Sequence, residues 1–409
     1  MVPPKSVNAV VKQDEQTELV ELWRQDTPGC AGRTHFNNAG SALPPGSVLD
    51  TVVGHLRRES EIGGYEAADE AAERVRQAYD QVGRLIGARA RNVAVVENAT
   101  VAFSQALSAF DFTPGDALVT TRADYPSNQI MYQALARRRG LEVLWADDLP
   151  EGGVDPDSLR EKAAHPRCRL VAVTWVPTNS GLVQDVEAVG EVCEAAGVPF
   201  LIDACQAVGQ LPVDVSRLRC DYLAATARKF LRGPRGVGFL YVSDRALSRG
   251  DYPLGVDMRG ADLAAPGHFD LADGARRFEN WEFAYALVLG LGEAARYALE
   301  VGVERGGGRA IELAAAIRER LAALPGVRIM DRGPRLCALV TAHFPGWNPP
   351  DLVHRLRGLG INTSAATRED GSHIPLLRIS PHYYNTAGEI DTLIAALAGL
   401  PPAGGGEES

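Results

Sequence analysis

Residues 199–242 read PFLIDACQAVGQLPVDVSRLRCDYLAATARKFLRGPRGVGFLYV, and this stretch decides the fold class. It contains three apolar runs of strand length: PFLIDA, DYLAATA and GVGFLYV. Short, almost continuously apolar runs predict strands that are buried on both faces of a sheet. Two of the runs lead into charged side chains, because Asp203 lies near the end of the first and Lys229 follows the second.

The same pattern extends toward the N-terminus. The runs NVAVVEN, DALVTT, LEVLWA and RLVAVTWV alternate with segments of helical periodicity such as AAERVRQAYDQVGRLIGA and VEAVGEVCEAAG. Strands that alternate with helices predict a mostly parallel sheet covered by helices on both faces. We therefore predict an α/β fold whose ligand site lies beyond the carboxyl ends of the strands.

The pattern changes after residue 283. AYALVLGLGEAARYALEVGVERG predicts one long helix, and RLCALVTAHF, DLVHRLRGLG and LLRISPHYYN predict a strand, a helix and a strand of a second, smaller α/β unit. We predict four regions: an N-terminal segment over 1–30 that packs with the small domain, a large domain over 31–283, a small C-terminal domain over 284–400, and a disordered Gly- and Pro-rich tail over 401–409.

Composition excludes several function classes. The net charge is −10, with 42 basic and 52 acidic residues and no long basic block, so no nucleic-acid partner is expected. No apolar run reaches the ~18 residues that a membrane helix needs, and the N-terminus lacks a signal-peptide core, so we expect a cytoplasmic protein that binds no membrane. Histidines lack ligand spacing, so no metal is expected, and we expect reduced, buried thiols at six scattered cysteines: Cys30, Cys168, Cys193, Cys205, Cys220 and Cys337.

Lys229 is one of only four lysines among the 42 basic residues. Lysine can lose its proton when it is desolvated and then act as a nucleophile, whereas arginine cannot. A structural lysine paired with an acid is the alternative. Asp203 is costly to bury unless it meets a cation such as a protonated ring nitrogen, although it could instead cap the next helix. Gln206 would aim its amide at the same ligand.

A carboxylate-ended strand followed 26 residues later by a lysine in T-A-R-K resembles the active site of fold-type I pyridoxal 5'-phosphate (PLP) enzymes. The chain is most similar to class V of the aminotransferase superfamily, which holds cysteine desulfurases, selenocysteine lyases and isopenicillin N epimerase-like proteins. The resemblance runs from about Asn37 to Thr386. It implies an aspartate aminotransferase-like large domain, PLP as the cofactor, and a homodimer with shared active sites.

The resemblance also implies roles around the cofactor ring. Lys229 would be the catalytic lysine that carries the cofactor, and Asp203 would hold the protonated ring nitrogen so that the ring accepts electrons. Gln206 would contact the 3′ oxygen, with Asn179 of WVPTNSG beside it. Tyr125 of RADYPSNQ would stack on the ring.

The phosphate and substrate contacts follow from further matching motifs. In VENATVAFSQAL, Ala99 and Thr100 would open a phosphate-binding helix, although Thr100 could be a plain N-cap. Thr226 and Arg228 match the other phosphate contacts. The expected substrate residues are Arg378, which would grip the α-carboxylate unless it forms a surface ion pair, and Asn38, Ala39 and Gly40 of HFNNAGSALPP.

The motif RRFENWEF departs from the family, which has a Gly-Thr pair there that lends a phosphate contact to the partner subunit. Here Trp281 and Glu282 take those places, and Glu282 would repel a phosphate. The partner contact is therefore expected from Asn280 or Trp281. We expect Arg232 and Arg235 to be solvated.

A second departure bears on the reaction. A desulfurase needs a mobile nucleophilic cysteine, yet residues 361–378 contain none, and Cys337 lies upstream in a strand-like run. Desulfurases also carry histidine where this chain has Tyr125, a residue whose usual pKa of ~10 makes it a poor proton shuttle at neutral pH. Both differences disfavour desulfuration.

These features favour β-elimination from a cysteine S-conjugate. Family members without the desulfurase cysteine include C–S lyases of small-molecule sulfur pathways, such as ergothioneine formation and lincosamide antibiotic biosynthesis. The alternatives are decarboxylation-coupled oxidative deamination of a similar conjugate, epimerisation or transamination of an amino acid, and a non-catalytic binding paralogue with the PLP fold.

Overall fold

The computed structural model describes residues 7–367 and 373–400, and for residues 7–15 it describes the backbone alone. The predicted disordered tail, 401–409, lies outside the described residues. The α-helices are α1 (Val7–Gln25), α2 (Gly46–Ile62), α3 (Gly64–Glu70), α4 (Ala72–Ile86), α5 (Ala99–Ser108), α6 (Pro126–Arg139), α7 (Pro156–Ala163), α8 (Val186–Ala196), α9 (Val215–Leu218), α10 (Asp244–Ser248), α11 (Tyr285–Val301), α12 (Val303–Ala322), α13 (Pro349–Gly358) and α14 (Ala387–Ala398). Short 3-10 helices span Pro28–Ala31, Ala90–Asn92 and Gly274–Phe278.

The strands are β1 (Thr34–His35), β2 (Val93–Val96), β3 (Ala117–Thr121), β4 (Glu142–Ala146), β5 (Cys168–Thr174), β6 (Phe200–Asp203), β7 (Tyr222–Thr226), β8 (Gly238–Val242), β9 (Ala261–Ala265), β10 (His268–Leu271), β11 (Arg328–Ile329), β12 (Val340–His343), β13 (Ile361–Asn362), β14 (Ser364–Thr367) and β15 (Pro375–Ile379). All seven strand-like runs predicted between residues 92 and 242 form strands.

The central sheet has seven strands in the order β2-β8-β7-β6-β5-β3-β4. Every neighbouring pair is parallel except those that involve β8, which is antiparallel to β2 and β7. The predicted α/β fold with a mostly parallel sheet is therefore confirmed. Two apolar clusters, one on each face, bury the sheet, which explains why its strands lack the alternation of a half-exposed strand.

The register of the central strands positions the site. Thr174 at the end of β5 lies opposite Asp203 at the end of β6, and Asp203 lies opposite Ala224 of β7. The chain segments that follow these three strands therefore leave the sheet side by side. Lys229 lies on the segment after β7, in agreement with a ligand site beyond the carboxyl ends of the strands.

A second sheet has four strands in the order β11-β12-β15-β14, and its neighbouring pairs are antiparallel. The N-terminal part of the chain contacts this region: β1 pairs with β13, the ring of Trp23 lies 5.0 Å from that of Tyr383, and Arg24 forms an ion pair of 3.1 Å with Glu389. Helix α11 packs mainly against α2 and α4 of the preceding region. The domain boundaries stay a prediction.

The prediction of one long helix from residue 284 is wrong in one respect. It is two helices, α11 and α12, which separate at Gly302, where φ is +81°. A residue with a side chain rarely adopts that conformation, so the glycine ends the first helix.

No strands are predicted over 261–271, yet β9 and β10 form an antiparallel hairpin there. Within the described residues, no helix is both long and apolar enough to cross a membrane.

Candidate active site

A cavity of about 520 Å³ opens at the carboxyl ends of the parallel strands. It brings together residues that are up to 139 positions apart in the sequence, because its first and last lining residues are Glu97 and Gly236. Eight residues predicted for the cofactor site line it: Ala99, Thr100, Tyr125, Asp203, Gln206, Thr226, Arg228 and Lys229. It is also lined by residues that were not predicted, including Asn128, Thr174, Thr178, Cys205 and Arg235.

The amine of Lys229 is buried in this cavity. Burial lowers its pKa, and the nearby Cys205 and Asp203 oppose that shift without reversing it. The Nζ atom lies 5.9 Å from the centre of the Tyr125 ring, and no described residue accepts a hydrogen bond from it. A desolvated lysine with a lowered pKa has the properties of a nucleophile or a proton acceptor.

The carboxylate of Asp203 is only 5% exposed, yet no described lysine, arginine or histidine forms an ion pair with it. Its Oδ1 accepts a hydrogen bond of 2.9 Å from the backbone N–H of Cys205, and its Oδ2 accepts one of 2.9 Å from Nδ2 of Asn128. A buried carboxylate whose hydrogen-bond donors are uncharged favours a ligand that brings a positive charge. A protonated pyridine nitrogen meets that requirement.

Gln206 supplies an unused polar atom at the same place. Its Nε2 donates a hydrogen bond of 3.1 Å to the carbonyl oxygen of Ala39, but its buried Oε1 has no partner among the described residues. Buried polar atoms without partners are uncommon in folded proteins. Asp203 and Gln206 together fit an aromatic ligand that places a ring nitrogen at Asp203 and an oxygen at Gln206.

The opposite end of the cavity suits an anion. Helix α5 begins there at Ala99, and the side chain of Asn98 caps the helix by accepting a hydrogen bond of 3.0 Å from the N–H of Val101. The first N–H groups of a helix attract a phosphate. Arg228 and Arg235 also line the cavity, and within the described residues neither forms an ion pair with a carboxylate.

The two arginines affect each other. Burial lowers the pKa of Arg228, and the positive charge of Arg235 lowers it further. Arg235 is exposed, as expected, but it also lines the cavity and lies close enough to Arg228 to affect its charge. Two guanidinium groups that line one cavity without a carboxylate partner favour a ligand with more than one negative charge.

Gly238 keeps this end of the cavity compact. A Cβ atom there would lie 2.5 Å from the carbonyl oxygen of Ala225 and 3.1 Å from the carbonyl carbon of Asn98. The first strand residue of β8 must therefore be a glycine if the turn before α5 is to approach the sheet this closely.

The expected substrate residues flank the cavity rather than line it. The Nη1 group of Arg378 donates to the carbonyl oxygen of Thr178 at 2.9 Å and lies 3.2 Å from the hydroxyl of the same residue. Because Thr178 lines the cavity, the guanidinium lies next to it. The carbonyl of Gly40 accepts a hydrogen bond from Arg228, and Asn38 is buried, with Nδ2 2.7 Å from the carbonyl oxygen of Ser380.

Three predicted cofactor residues lie outside the cavity. Asn179 lines a smaller cavity of about 170 Å³ beside it, and its Nδ2 donates to the carbonyl oxygen of Thr367 at 3.0 Å. Asn280 donates to Glu97 Oε1 at 3.1 Å, and Trp281 is 52% exposed. Their cofactor roles stay predictions.

Arg232 differs from its expectation of a solvated side chain, because it is 1% exposed. Its guanidinium carbon lies 4.7 Å, 5.2 Å and 5.5 Å from the ring centres of Tyr384, Tyr383 and Tyr297. Its N–H groups donate to the carbonyl of Leu43 at 2.9 Å, to the Tyr383 hydroxyl at 2.6 Å and to the Thr27 hydroxyl at 2.5 Å. We call Arg232 and these three tyrosine rings the arginine cage.

The comparison with family models agrees with this geometry. Residues 34–393 match the model described as aminotransferase class-V. The chain belongs to the aminotransferase class-V family. The resemblance on which the sequence analysis rested is therefore confirmed, and so are its consequences that this class V chain is an enzyme and that its cofactor is PLP.

Curated relatives cover nearly the whole class V chain. It is 25% identical over 404 residues to a "Probable cysteine desulfurase" of Pyrococcus abyssi, an alignment that spans 93% of this chain and 98% of the relative. It is 28% identical over 394 residues to a "Probable hercynylcysteine sulfoxide lyase" of Mycobacterium tuberculosis, which spans 95% of both chains.

Solved structures share the fold. The cystine C–S lyase C-DES, in complex with its reaction product cysteine persulfide, superposes with a TM-score of 0.83 at 26% identity, covering 92% of this class V chain and 100% of the other. A C-DES mutant with glycine covalently linked to the PLP cofactor gives a TM-score of 0.83 at 25% identity, covering 92% and 99%.

Proposed function

We propose that this enzyme is a PLP-dependent C–S lyase that performs β-elimination on a cysteine S-conjugate. The products would be a thiol or a related sulfur species, together with pyruvate and ammonia. One observation carries the proposal: the site has a desolvated lysine but no thiol suited to attack sulfur.

Burial raises the pKa of all six thiols, so none is activated as a thiolate. The pKa of Cys337 rises to about 12. Cys205 is the cysteine that lines the cavity, and burial together with the negative charge of Asp203 raises its pKa as well. A nucleophilic cysteine needs the opposite shift, which a nearby cation or helix N-terminus supplies.

The relatives support the proposal from another direction. The Mycobacterium tuberculosis relative is named a sulfoxide lyase of hercynylcysteine, which is a cysteine S-conjugate by its name. C-DES is named a cystine C–S lyase. We infer that this chain breaks the same kind of bond, between the β-carbon of a cysteine unit and its sulfur.

We propose the following assignments. Bound PLP would withdraw electrons from the bonds at the α-carbon of the substrate. Lys229 would hold the cofactor and accept the α-proton at Nζ, a role that requires the neutral amine favoured by burial. Asp203 would hold the ring nitrogen, Gln206 would meet the 3′ oxygen, and Tyr125 would cover the ring.

The remaining assignments concern the two ends of the ligand. Ala99, Thr100, Thr226 and Arg228 would bind the phosphate at the end of the cavity where α5 begins. Arg378 would bind the substrate α-carboxylate through its guanidinium, oriented by Thr178. Asn38, Ala39 and Gly40 would line the entry for the substrate.

We also propose that the enzyme is a homodimer. Large apolar side chains are exposed around the β9–β10 hairpin and the segments next to it: Tyr252, Leu254, Met258, Leu263, Phe269 and Trp281. A cluster of this kind indicates a protein interface. Light scattering of the purified protein should give twice the mass of 43.8 kDa, whereas a monomer mass would refute the dimer.

The function is tested with the PLP-loaded enzyme and a panel of cysteine S-conjugates, with pyruvate, ammonia, carbon dioxide, hydrogen peroxide and D-amino acids measured separately. We expect pyruvate and ammonia in equal amounts without carbon dioxide. An aldehyde with carbon dioxide would show decarboxylation-coupled oxidation, and D-amino acid would show epimerisation; either product in place of pyruvate would overturn the proposal.

Two matched variants sharpen the test. Lys229→Ala should abolish pyruvate formation, whereas Lys162→Ala, which alters a surface lysine paired with Glu161, should leave it unchanged. Cys205→Ala should keep pyruvate formation, because the proposed reaction needs no protein thiol. Loss of turnover in Cys205→Ala, together with a persulfide on Cys205 in the wild type, would instead support desulfuration.

A further inference from the structure

Asp124 is a second buried carboxylate at the cofactor site, and the proposed mechanism leaves it without a role. It precedes Tyr125 and helix α6, and its side chain is fully buried. Within the described residues, no arginine, lysine or histidine forms an ion pair with it. A carboxylate is costly to bury in this way unless strong hydrogen-bond donors surround it.

The donors around Asp124 come from three parts of the site. Its Oδ1 accepts hydrogen bonds from the backbone N–H of Tyr125 at 2.6 Å, from Nδ2 of Asn128 at 3.1 Å and from the hydroxyl of Thr174. Its Oδ2 lies 3.4 Å from the hydroxyl of Thr120. One oxygen of Asp124 therefore ties the end of β5 to the start of α6.

The amide of Asn128 links Asp124 to Asp203. The same Nδ2 that approaches Asp124 lies 2.9 Å from Oδ2 of Asp203 and 3.3 Å from the hydroxyl of Thr174. An amide nitrogen carries two hydrogens, so it can make two good hydrogen bonds, and the two shortest distances lead to the two carboxylates. A single amide thus bridges Asp124 and Asp203.

We propose that Asp124 is a positioning residue for the cofactor ring: through Asn128 it aims the carboxylate of Asp203, and through the backbone of Tyr125 it fixes the stacking side chain. The backbone N–H of Cys205 holds Oδ1 of Asp203, and the Asn128 amide holds Oδ2, so the two bonds together fix the orientation of the carboxylate. The inference rests on the proposal that Asp203 holds the ring nitrogen and does not depend on which bond the enzyme breaks.

Charge gives Asp124 a second effect on the same carboxylate. Burial and the negative charge of Asp203 raise the pKa of Asp124 to about 6, opposed by hydrogen bonds from Thr174, Asn128 and Tyr125. The hydroxyl of Tyr132 on α6 also faces Asp124, and burial raises the pKa of that hydroxyl. Above that pKa, Asp124 adds a negative charge behind Asp203, which favours a protonated ring nitrogen.

Two substitutions separate position from charge. Asp124→Asn keeps an oxygen that can accept the bonds of Oδ1 but removes the charge, whereas Asp124→Ala removes both. The readouts are the dissociation constant of PLP and the ¹⁵N chemical shift of the ring nitrogen in protein loaded with ¹⁵N-labelled PLP, which reports the protonation of that nitrogen. Neither readout depends on turnover.

We expect Asp124→Ala to weaken PLP binding by about 10-fold or more, the cost of losing hydrogen bonds to a charged group. Its ring nitrogen should shift toward the unprotonated value, and Asp124→Asn should show the same shift with a smaller loss of affinity. Asp116→Asn is the control, because Asp116 is also a buried aspartate but pairs with Arg167 and does not line the cavity. It should change neither readout.

A double substitution tests the route. If Asp124 acts through Asn128, then Asn128→Ala should lose most of the same affinity, and the pair should lose less than the sum of the two. A folded Asp124→Ala protein with wild-type PLP affinity and ¹⁵N shift would overturn the proposal. If that variant does not fold, wild-type PLP affinity and ¹⁵N shift in Asn128→Ala overturn it, whereas a wild-type ¹⁵N shift in Asp124→Asn refutes only the effect of charge. Absence of pyruvate with these readouts as expected would refute the lyase proposal alone.

Discussion

Replacement of Arg232 by methionine should destabilise the protein strongly, because the arginine cage joins three parts of the chain. Arg232 lies shortly after Lys229, its hydrogen-bond partner Thr27 lies in the N-terminal segment, and Tyr383 and Tyr384 lie near the C-terminus. The backbone N–H of Arg232 also donates to the carbonyl of Lys229 at 2.8 Å. The cage therefore supports the segment that carries the reactive lysine.

The size of the effect follows from the contacts. Three hydrogen bonds from a charged group contribute about 1.5–3 kcal/mol each. Three ring contacts with a desolvated cation add about 1–2 kcal/mol each. Methionine loses all of these but also avoids the cost of burying a charge, which is several kcal/mol. The lost contacts outweigh the avoided burial cost, and we expect a net loss of about 3–5 kcal/mol in the free energy of unfolding.

Urea unfolding followed by tryptophan fluorescence measures this loss, and Trp23, whose ring contacts Tyr383, lies at the cage itself. The control is Arg296→Met, because Arg296 is a half-exposed arginine that pairs with Glu293 and Glu300. Its loss should cost less than about 1 kcal/mol. If Arg232→Met unfolds within 1 kcal/mol of the wild type, or no more easily than Arg296→Met, the account of the cage is refuted.

Three further outcomes concern the cofactor site. Arg235→Met should weaken binding of PLP by about 10-fold but leave binding of pyridoxal, which lacks the phosphate, unchanged in equilibrium dialysis; equal losses for both would exclude a phosphate contact. Gly238→Ala should reduce PLP affinity and the melting temperature together, because its Cβ would meet backbone atoms on both sides, and a wild-type melting curve would contradict this. The rate of PLP incorporation should rise with pH through a midpoint below the usual lysine pKa of about 10.4, since burial lowers the pKa of Lys229 and the neutral amine is the reactive form. Because the folded chain holds that proton more weakly than the unfolded chain, the cost of Lys229 to stability should also fall as pH rises toward 10.4.

The sequence predicts the central sheet well because buried parallel strands have a simple signature. Each is a short apolar run, and no polar face competes with it, so all seven runs form strands. Asp203 and Lys229 stand out for the same reason, since a charge next to such a run is unusual. Helix ends are harder to predict: GLGEAARYALEVGVERG reads as one helix, and Gly302 breaks it only because the chain turns there into α12.

Residues that act through distant partners were not predictable in this way. Asp124 and Asn128 lie in RADYPSNQ, a polar stretch that by itself indicates a loop and the start of a helix. Their importance depends on Thr174 and Asp203, which lie about 50 and 80 residues further along and meet them only because β5 and β6 are neighbours in the sheet. The one local signal in the sequence was that Asn128 and Tyr125 lie within one turn at the start of α6, so both side chains can reach the same site.

Buried charged residues of this chain fall into two groups: those whose partners belong to the chain itself, and those whose partner would be a ligand. Arg232 is also deeply buried, but the chain itself supplies acceptors and rings for its guanidinium. Asp203 and Lys229 are buried in the same region, yet within the described residues neither forms an ion pair, and the amine donates no hydrogen bond. The described part of the chain therefore supplies no cation for the Asp203 carboxylate and no acceptor for the Lys229 amine, and a carbonyl compound that carries a cationic ring would meet both groups. The same test cannot be applied to the sequence alone: residue type distinguishes Lys229 in TARKFLR, but nothing in that stretch shows that Arg232 is buried among aromatic rings.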